Sequence, residues 1–150
     1  MISFGIDELI IQNPAWKSKR IGLVTNDAAT TNTGILSRTA LVQAGFTIVC
    51  LFTPEHGISA KAPDGEAQQN SMDTITGLPI ISLYGNKCMP TAQDLENIDL
   101  LLFDIPDIGA RFYTYLWTLT YVLEACAINK KKCIVLDRPN PVSGNFDAAE

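Results

Sequence analysis

At 150 residues, with 16 acidic against 11 basic side chains and a formal net charge of −5, the chain can bury one hydrophobic core without metal or disulfide staples. Its basic residues are scattered apart from Lys130, Lys131 and Lys132, so it lacks the clustered cationic stripe by which proteins grip nucleic acid or anionic membranes, and neither is an expected partner. The four cysteines, Cys50, Cys88, Cys126 and Cys133, include no CxxC pair and accompany a single histidine; they read as reduced core residues, and no metal or other cofactor is expected.

In chain order, residues 3 to 12 form a first helix candidate. The stretch MISFGIDELIIQNPAWKSKR has acids inside its apolar part and lacks the basic start and cleavage site of a secretory leader. No run is long enough to span a bilayer. As written the chain is expected in the cytoplasm, and outside it if a leader has been removed. A strand follows at IGLVTN (21 to 26), then a helix over GILSRTALVQA (34 to 44) that stops at Gly45. TIVCLF (47 to 52) is the second strand, and the polar stretch from Gly57 to Thr76 shows neither helical nor strand period. LPIISLY (78 to 84) is the third strand, and a short helix at 91 to 97 opens on Thr91 with Asp94 as its capping-box acid.

DLLLFDI (99 to 105) gives the fourth strand. The longest helix, from about Arg111 to Asn129, repeats Phe112, Tyr115, Leu116, Leu119, Val122, Leu123 and Cys126 at three- and four-residue steps, a core stripe. KCIVLD (132 to 137) is the fifth strand. The runs are continuous rather than alternating, as in strands covered on both faces, so the expected class is α/β with a mostly parallel sheet and helices on both faces. After the last strand come DRPNPVSGNFDAAE and no covering helix, which reads as a domain truncated at its C-terminal side.

In such sheets the ligand crevice lies beyond the carboxyl ends of the strands. There the sequence puts Asn26 and Asp27, then Glu55 and His56, then Asp104, Asp107 and Arg111, then Asp137, Arg138 and Asn140. Each has a bland alternative: Asp104 and Asp137 as loop-fixing acids paired with Arg111 and Arg138, Asn26 as a turn residue, His56 as a satisfied loop histidine. Glu55 is harder to explain away, because a plain turn is served by Asn, Asp and Gly, whereas Pro54-Glu55-His56-Gly57 sets two titratable groups between stiff and permissive backbone units.

Two chemistries could use this edge. Glycoside hydrolysis needs a protonated acid near the leaving oxygen and a group that attacks or stabilises the anomeric carbon. LLLFDIPDIG also resembles the strand and paired aspartates of haloacid-dehalogenase-type phosphatases, but those separate their aspartates by one residue and Asp104 and Asp107 are separated by two, which turns the second carboxylate to the other face. The phosphate-binding patterns GxGxxG and GxxxxGK[ST] do not occur.

Taken together, GLVTN (22 to 26), LFTPEHGI (51 to 58), TGLPIISLYG (76 to 85), LLLFDIPDIGARFYTY (100 to 115) and VLDRPNPVSG (135 to 144) resemble the exo-β-N-acetylmuramidases of the NamZ type, long catalogued as a domain of unknown function. The resemblance implies a Rossmann-like catalytic subdomain followed by a smaller ancillary one, with residues 1–150 covering the front of the first. It also implies removal of terminal N-acetylmuramic acid from the non-reducing end of peptidoglycan fragments in cell-wall recycling. The partner is then a muramic-acid-containing saccharide, with Glu55 as the acid and His56 orienting it or the sugar. Asn26, Asp104, Asp107, Arg111, Tyr113, Asp137, Arg138 and Asn140 would line the pocket. The lactyl carboxylate suits Arg111 or Arg138, and the 2-acetamido group could itself attack the anomeric carbon. Pro106, where the family usually has glutamine, removes an amide donor, and the turn after Asn26 is longer than is common. A non-catalytic sugar-binding remnant is the alternative. The polar stretch from Gly57 to Thr76 is expected to act as a mobile flap over the pocket.

Overall fold

Strands form where the sequence has short runs too apolar for either face to meet water. In the computed structural model, which describes residues 3–59, 71–110 and 112–140, these are β1 Ile21–Thr25, β2 Ile48–Thr53, β4 Pro79–Ser82, β5 Leu100–Asp104 and β6 Lys132–Val135. A two-residue strand, β3 Ser71–Met72, joins them at one edge. The sheet order is β3-β4-β2-β1-β5-β6, with every pairing parallel except β3 against β4. This is the expected mostly parallel α/β sheet, with the strand order reversing at β1.

Side chains that alternate along each strand build a core on each face. Ile21, Leu23, Leu51, Ile80 and Leu102 pack with Ile6 and Leu9 of α1 (Gly5–Gln12) and with Ala40 and Leu41 of α2 (Ser37–Gln43). On the other face Val24, Phe52, Leu101 and Phe103 meet Leu95 of α3 (Ala92–Leu95) and Val122, Ala125 and Cys126 of α4 (Tyr115–Ile128). Gly22 is required by the second core: a Cβ there would lie 2.9 Å from both Ile98 and Phe52 side-chain carbons. Among the described residues no helix is long and apolar enough to cross a membrane.

Three expectations need correction. α2 begins at Ser37 rather than residue 34, because Gly34 (φ 83°) and the Thr30–Leu36 bridge make a tight turn where the first helical turn was expected. α4 begins at Tyr115 rather than Arg111, and the expected core positions Phe112, Leu116 and Leu123 are exposed by 85%, 59% and 45%. The helix is apolar nearly all round, so its stripe can be traced along more than one face; the sheet takes Tyr115, Thr118, Val122, Ala125 and Cys126. Finally, Cys88 is exposed, unlike buried Cys50 and Cys126 and half-buried Cys133.

Residues 60–70, the centre of the expected flap, lie outside the described residues. Its far end is packed structure: β3 pairs with β4, and Asp73, 4% exposed, accepts from the backbone N–H and hydroxyl of Thr76. Asp73 also meets Arg38 of α2, whose Nε lies 3.0 Å from Asp73 Oδ2 and whose Nη1 lies 2.7 Å from Asp27 Oδ1. Burial pushes the Asp73 carboxyl up, yet the Thr76 hydrogen bonds and the Arg38 charge outweigh it and hold the group below the ordinary carboxylate range. Its contribution is therefore present above the unfolded-state value near pH 4 and is lost as pH falls through the depressed one. Arg38→Ala leaves a buried carboxylate unpaired, so urea unfolding should show a loss of about 3–5 kcal/mol at neutral pH that shrinks as Asp73 is protonated.

Candidate active site

The carboxyl ends of β2, β1 and β5 lie side by side where the strand order reverses, the place at which an open α/β sheet presents a crevice. β2 delivers Glu55 and His56. Pro54 stops the strand, the Gly57 N–H closes a turn onto the Pro54 carbonyl at 3.1 Å, and His56 and Gly57 both take positive φ (68°). A non-glycine residue in that region carries strain and is held there by its surroundings. Both Glu55 and His56 are half-buried, and with Phe112, Tyr113, Thr114 and Tyr115 they line a cavity of about 260 Å³.

β1 and the start of α4 meet behind this cavity. Asn26 is fully buried; its Nδ2 donates to the Tyr115 hydroxyl at 3.1 Å and its Oδ1 accepts from the Ala28 N–H at 3.0 Å. Tyr113 stands edge-on to Tyr115, with ring centroids 4.8 Å apart. Burial, then Tyr113, then the Glu55 charge push the Tyr115 phenol up to about 12, against the opposing Asn26 hydrogen bond. Tyr115 is thus a neutral hydroxyl at any ordinary pH, and it electrostatically senses Glu55.

The arginine and acids after β5 and β6 form a different unit. Arg138 makes a fork–fork pair with Asp104, Nε to Oδ1 at 2.6 Å and Nη2 to Oδ2 at 2.9 Å, and Nη2 also donates to Ser37 Oγ at 3.1 Å. Its guanidinium lies 5.1 Å from the Phe4 ring centroid. Asp104 is fully buried. Asp107, Asp137 and Arg138 line a second cavity of about 170 Å³, which Tyr115 shares with the first.

Of the residues expected to line one pocket, Glu55, His56 and Tyr113 therefore come together, and Asp107, Asp137 and Arg138 come together on the other side of Tyr115. Asn26 and Asp104, also expected to line the pocket, are both sealed from solvent, where they bond Tyr115 and Arg138. Asn140 is exposed beyond the second group, and Arg111 lies outside the described residues. Sequence reasoning assigned Tyr115 to the core and missed its hydroxyl; the Tyr-Thr-Tyr spacing at the helix start was the available signal. It also missed Ser37, and the buried hydroxyls of Thr53 and Ser82. These two are register partners at the same edge and find no hydrogen-bond partner among the described residues. Nor, among the described residues, do three side chains of His, Cys, Asp or Glu gather as metal ligands do.

A parallel α/β sheet with an acid and an imidazole on the turn after its second strand defines a Rossmann-like domain with a candidate active site at the sheet's carboxyl edge. The sequence profile of the family described as exo-beta-N-acetylmuramidase NamZ, N-terminal, matches residues 21–148, and the chain belongs to that family. It is 42% identical over 147 residues to the peptidoglycan beta-N-acetylmuramidase NamZ of Bacillus subtilis (strain 168), a match covering 96% of this chain and 35% of the relative. Two crystal structures of DUF1343 family proteins from Bacteroides fragilis NCTC 9343 share the fold. One has a TM-score of 0.84 at 40% identity, covering 96% of this chain and 36% of that one, and the other 0.72 at 31%, covering 93% and 35%. The chain spans about a third of the length of these relatives.

The buried phenol gives a test of this geometry. In a spectrophotometric titration of the four tyrosines, the step at highest pH, near 12, should disappear in Tyr115→Phe and move further up in Asn26→Ala, which removes the hydrogen bond that opposes the shift. Because the folded-state value is raised, Tyr115 favours the folded protein below pH 10 and that contribution is lost between about 10 and 12. A titration unchanged by Tyr115→Phe would mean that its hydroxyl is not enclosed.

Proposed function

We propose that this chain is the acid-bearing part of an exo-acting glycoside hydrolase that releases terminal N-acetylmuramic acid from the non-reducing end of peptidoglycan fragments, with Glu55 as general acid. The observation that carries the reading is the placement of Glu55. It sits half-buried on the hydrogen-bonded turn after β2, in a cavity walled by His56, Tyr113 and Tyr115. A general acid must hold its proton within hydrogen-bond reach of the leaving oxygen, which a carboxyl on a fixed turn does. The family match and the name of the Bacillus subtilis relative supply the substrate class.

The rest of the edge supports particular roles. His56 shares the cavity with Glu55 and orients the acid or the sugar. With the guanidinium of Arg138 forked onto Asp104, Arg111 is the better candidate for the lactyl carboxylate, next in sequence to Phe112 of the cavity wall. A phosphatase reading is disfavoured by Asp104, whose two oxygens face Arg138 rather than a ligand.

In a protein that carries this domain together with the portion its relatives add, Glu55→Gln should lower the rate of N-acetylmuramic acid release from the terminal position roughly 100- to 10,000-fold with substrate binding retained. A variant that hydrolyses at the wild-type rate removes Glu55 from the role. Binding without turnover by the wild-type protein would instead identify a non-catalytic sugar-binding domain.

A further inference from the structure

Two hydrogen bonds at the back of the Glu55 cavity have a settled direction. The backbone N–H of Ala28 can only donate, so the Asn26 atom that meets it at 3.0 Å is the amide oxygen, and the amide nitrogen is the atom turned to Tyr115. That nitrogen can also only donate. The Tyr115 hydroxyl, 3.1 Å away, is therefore the acceptor, and its single proton is left for another partner. Asn26 and Tyr115 are both buried, which holds amide and ring in this arrangement. The neighbouring hydroxyl is that of Tyr113. The two rings stand edge to face, with centroids 4.8 Å apart, and a hydrogen bond with Tyr113 is among the causes that keep the Tyr115 proton in place.

We infer that Asn26 and Tyr115 are positioning residues that act through Tyr113, setting its hydroxyl as a donor aimed into the Glu55 cavity before a ligand arrives. A hydroxyl that accepts from Tyr115 keeps its own proton for its other side, and Tyr113, half-buried, shares that side with Glu55 and His56. The relay runs one way, from the Ala28 N–H through Asn26 and Tyr115 to Tyr113, and each bond polarises the next. A donor fixed in this sense favours a ligand oxygen that can only accept over a hydroxyl with a proton of its own to place. Resting on the glycosidase reading above, that oxygen belongs to the N-acetylmuramic acid unit, which carries a carboxylate and an acetamido carbonyl. An aspartate at position 26 would keep the shape of Asn26 but, when ionised, could only accept. It would turn the Tyr115 proton back and draw the Tyr113 proton away from the cavity.

The test is a double-mutant cycle in a protein that carries this domain together with the portion its relatives add, read as the calorimetric Kd for N-acetylmuramic acid and as kcat, well below each variant's melting temperature. Tyr115→Phe keeps the ring and removes only the relay. It should raise Kd roughly three- to tenfold and change kcat by less than about twofold, and Tyr113→Phe should do the same. The double variant should bind no more weakly than Tyr113→Phe alone, because Tyr115 acts only through Tyr113. Asn26→Asp should match Tyr113→Phe; if it does not fold, the tyrosine cycle decides. Losses that add in the double variant overturn the proposal, since the two tyrosines would then act separately, as packing residues do. An unchanged Kd in Tyr115→Phe, a loss confined to kcat, or a wild-type protein that does not bind the sugar also overturns it. The Glu55→Gln test reads the rate with binding retained. A protein that binds without turnover therefore loses the acid role of Glu55 and keeps the relay, so the two failures are distinguishable.

Discussion

The architecture turns on the ion pair between Asp104 and Arg138. Asp104 is the last residue of β5, fully buried, and a carboxylate in that position is tolerated only with a partner that satisfies both oxygens. Arg138 does this from the segment after β6, and the same guanidinium reaches Ser37 at the start of α2 and lies against Phe4 ahead of α1. One side chain therefore joins four pieces of chain that are distant in sequence. Gly5 tightens the junction: its N–H donates to the Asp137 carbonyl at 2.7 Å, and a Cβ there would lie 2.5 Å from the Asp137 nitrogen. Such a buried pair fixes which elements meet more than it adds net stability, and here what it fixes is the floor beneath the carboxyl edge of the sheet.

Above that floor the polar groups fall into a sequence of supports. Asn26 anchors Tyr115, Tyr115 stands edge-on to Tyr113, and both tyrosines wall the cavity that holds Glu55. Glu55, His56 and Tyr113 beside the cavity are half-buried, and Tyr115 and Asn26 behind them are sealed. That gradient is what a preorganised site requires, because a side chain held by buried partners keeps its geometry when the ligand arrives. The opposite flank is built from the Arg38 pairs with Asp27 and Asp73, which tie α2 to the turn after β1 and to the β3–β4 corner.

How much was legible in the sequence depended on whether the signal was local. The five parallel strands showed as continuous apolar runs because burial on both faces leaves no polar alternation. The capping box of Thr91 and Asp94 was visible because it is a four-residue pattern, and the structure contains both of its hydrogen bonds. β3 was not visible, since two residues that pair with β4 carry no period of their own. The buried face of α4 could not be chosen from a helix that is apolar all round; the sheet made that choice. At the site, the turn at Glu55 announced itself through proline, two titratable groups and glycine in a row. The sealing of Asn26 and Asp104 did not, because their partners Tyr115 and Arg138 lie 89 and 34 residues away. A sequence edge rich in acids and amides shows that a site is near without showing which members face the ligand.

The central claim is that Glu55 is the acid at the glycosidic oxygen of a terminal N-acetylmuramic acid. A crystal structure with a thio-linked, hydrolysis-resistant peptidoglycan disaccharide that ends in N-acetylmuramic acid tests it most directly. The account predicts the bridging atom within roughly 2.6–3.2 Å of a Glu55 carboxyl oxygen, allowing for the larger sulfur, with the muramoyl ring beside His56 and Tyr113. A disaccharide seated among Asp107, Asp137 and Arg138, with Glu55 out of reach of the bridging atom, would contradict it.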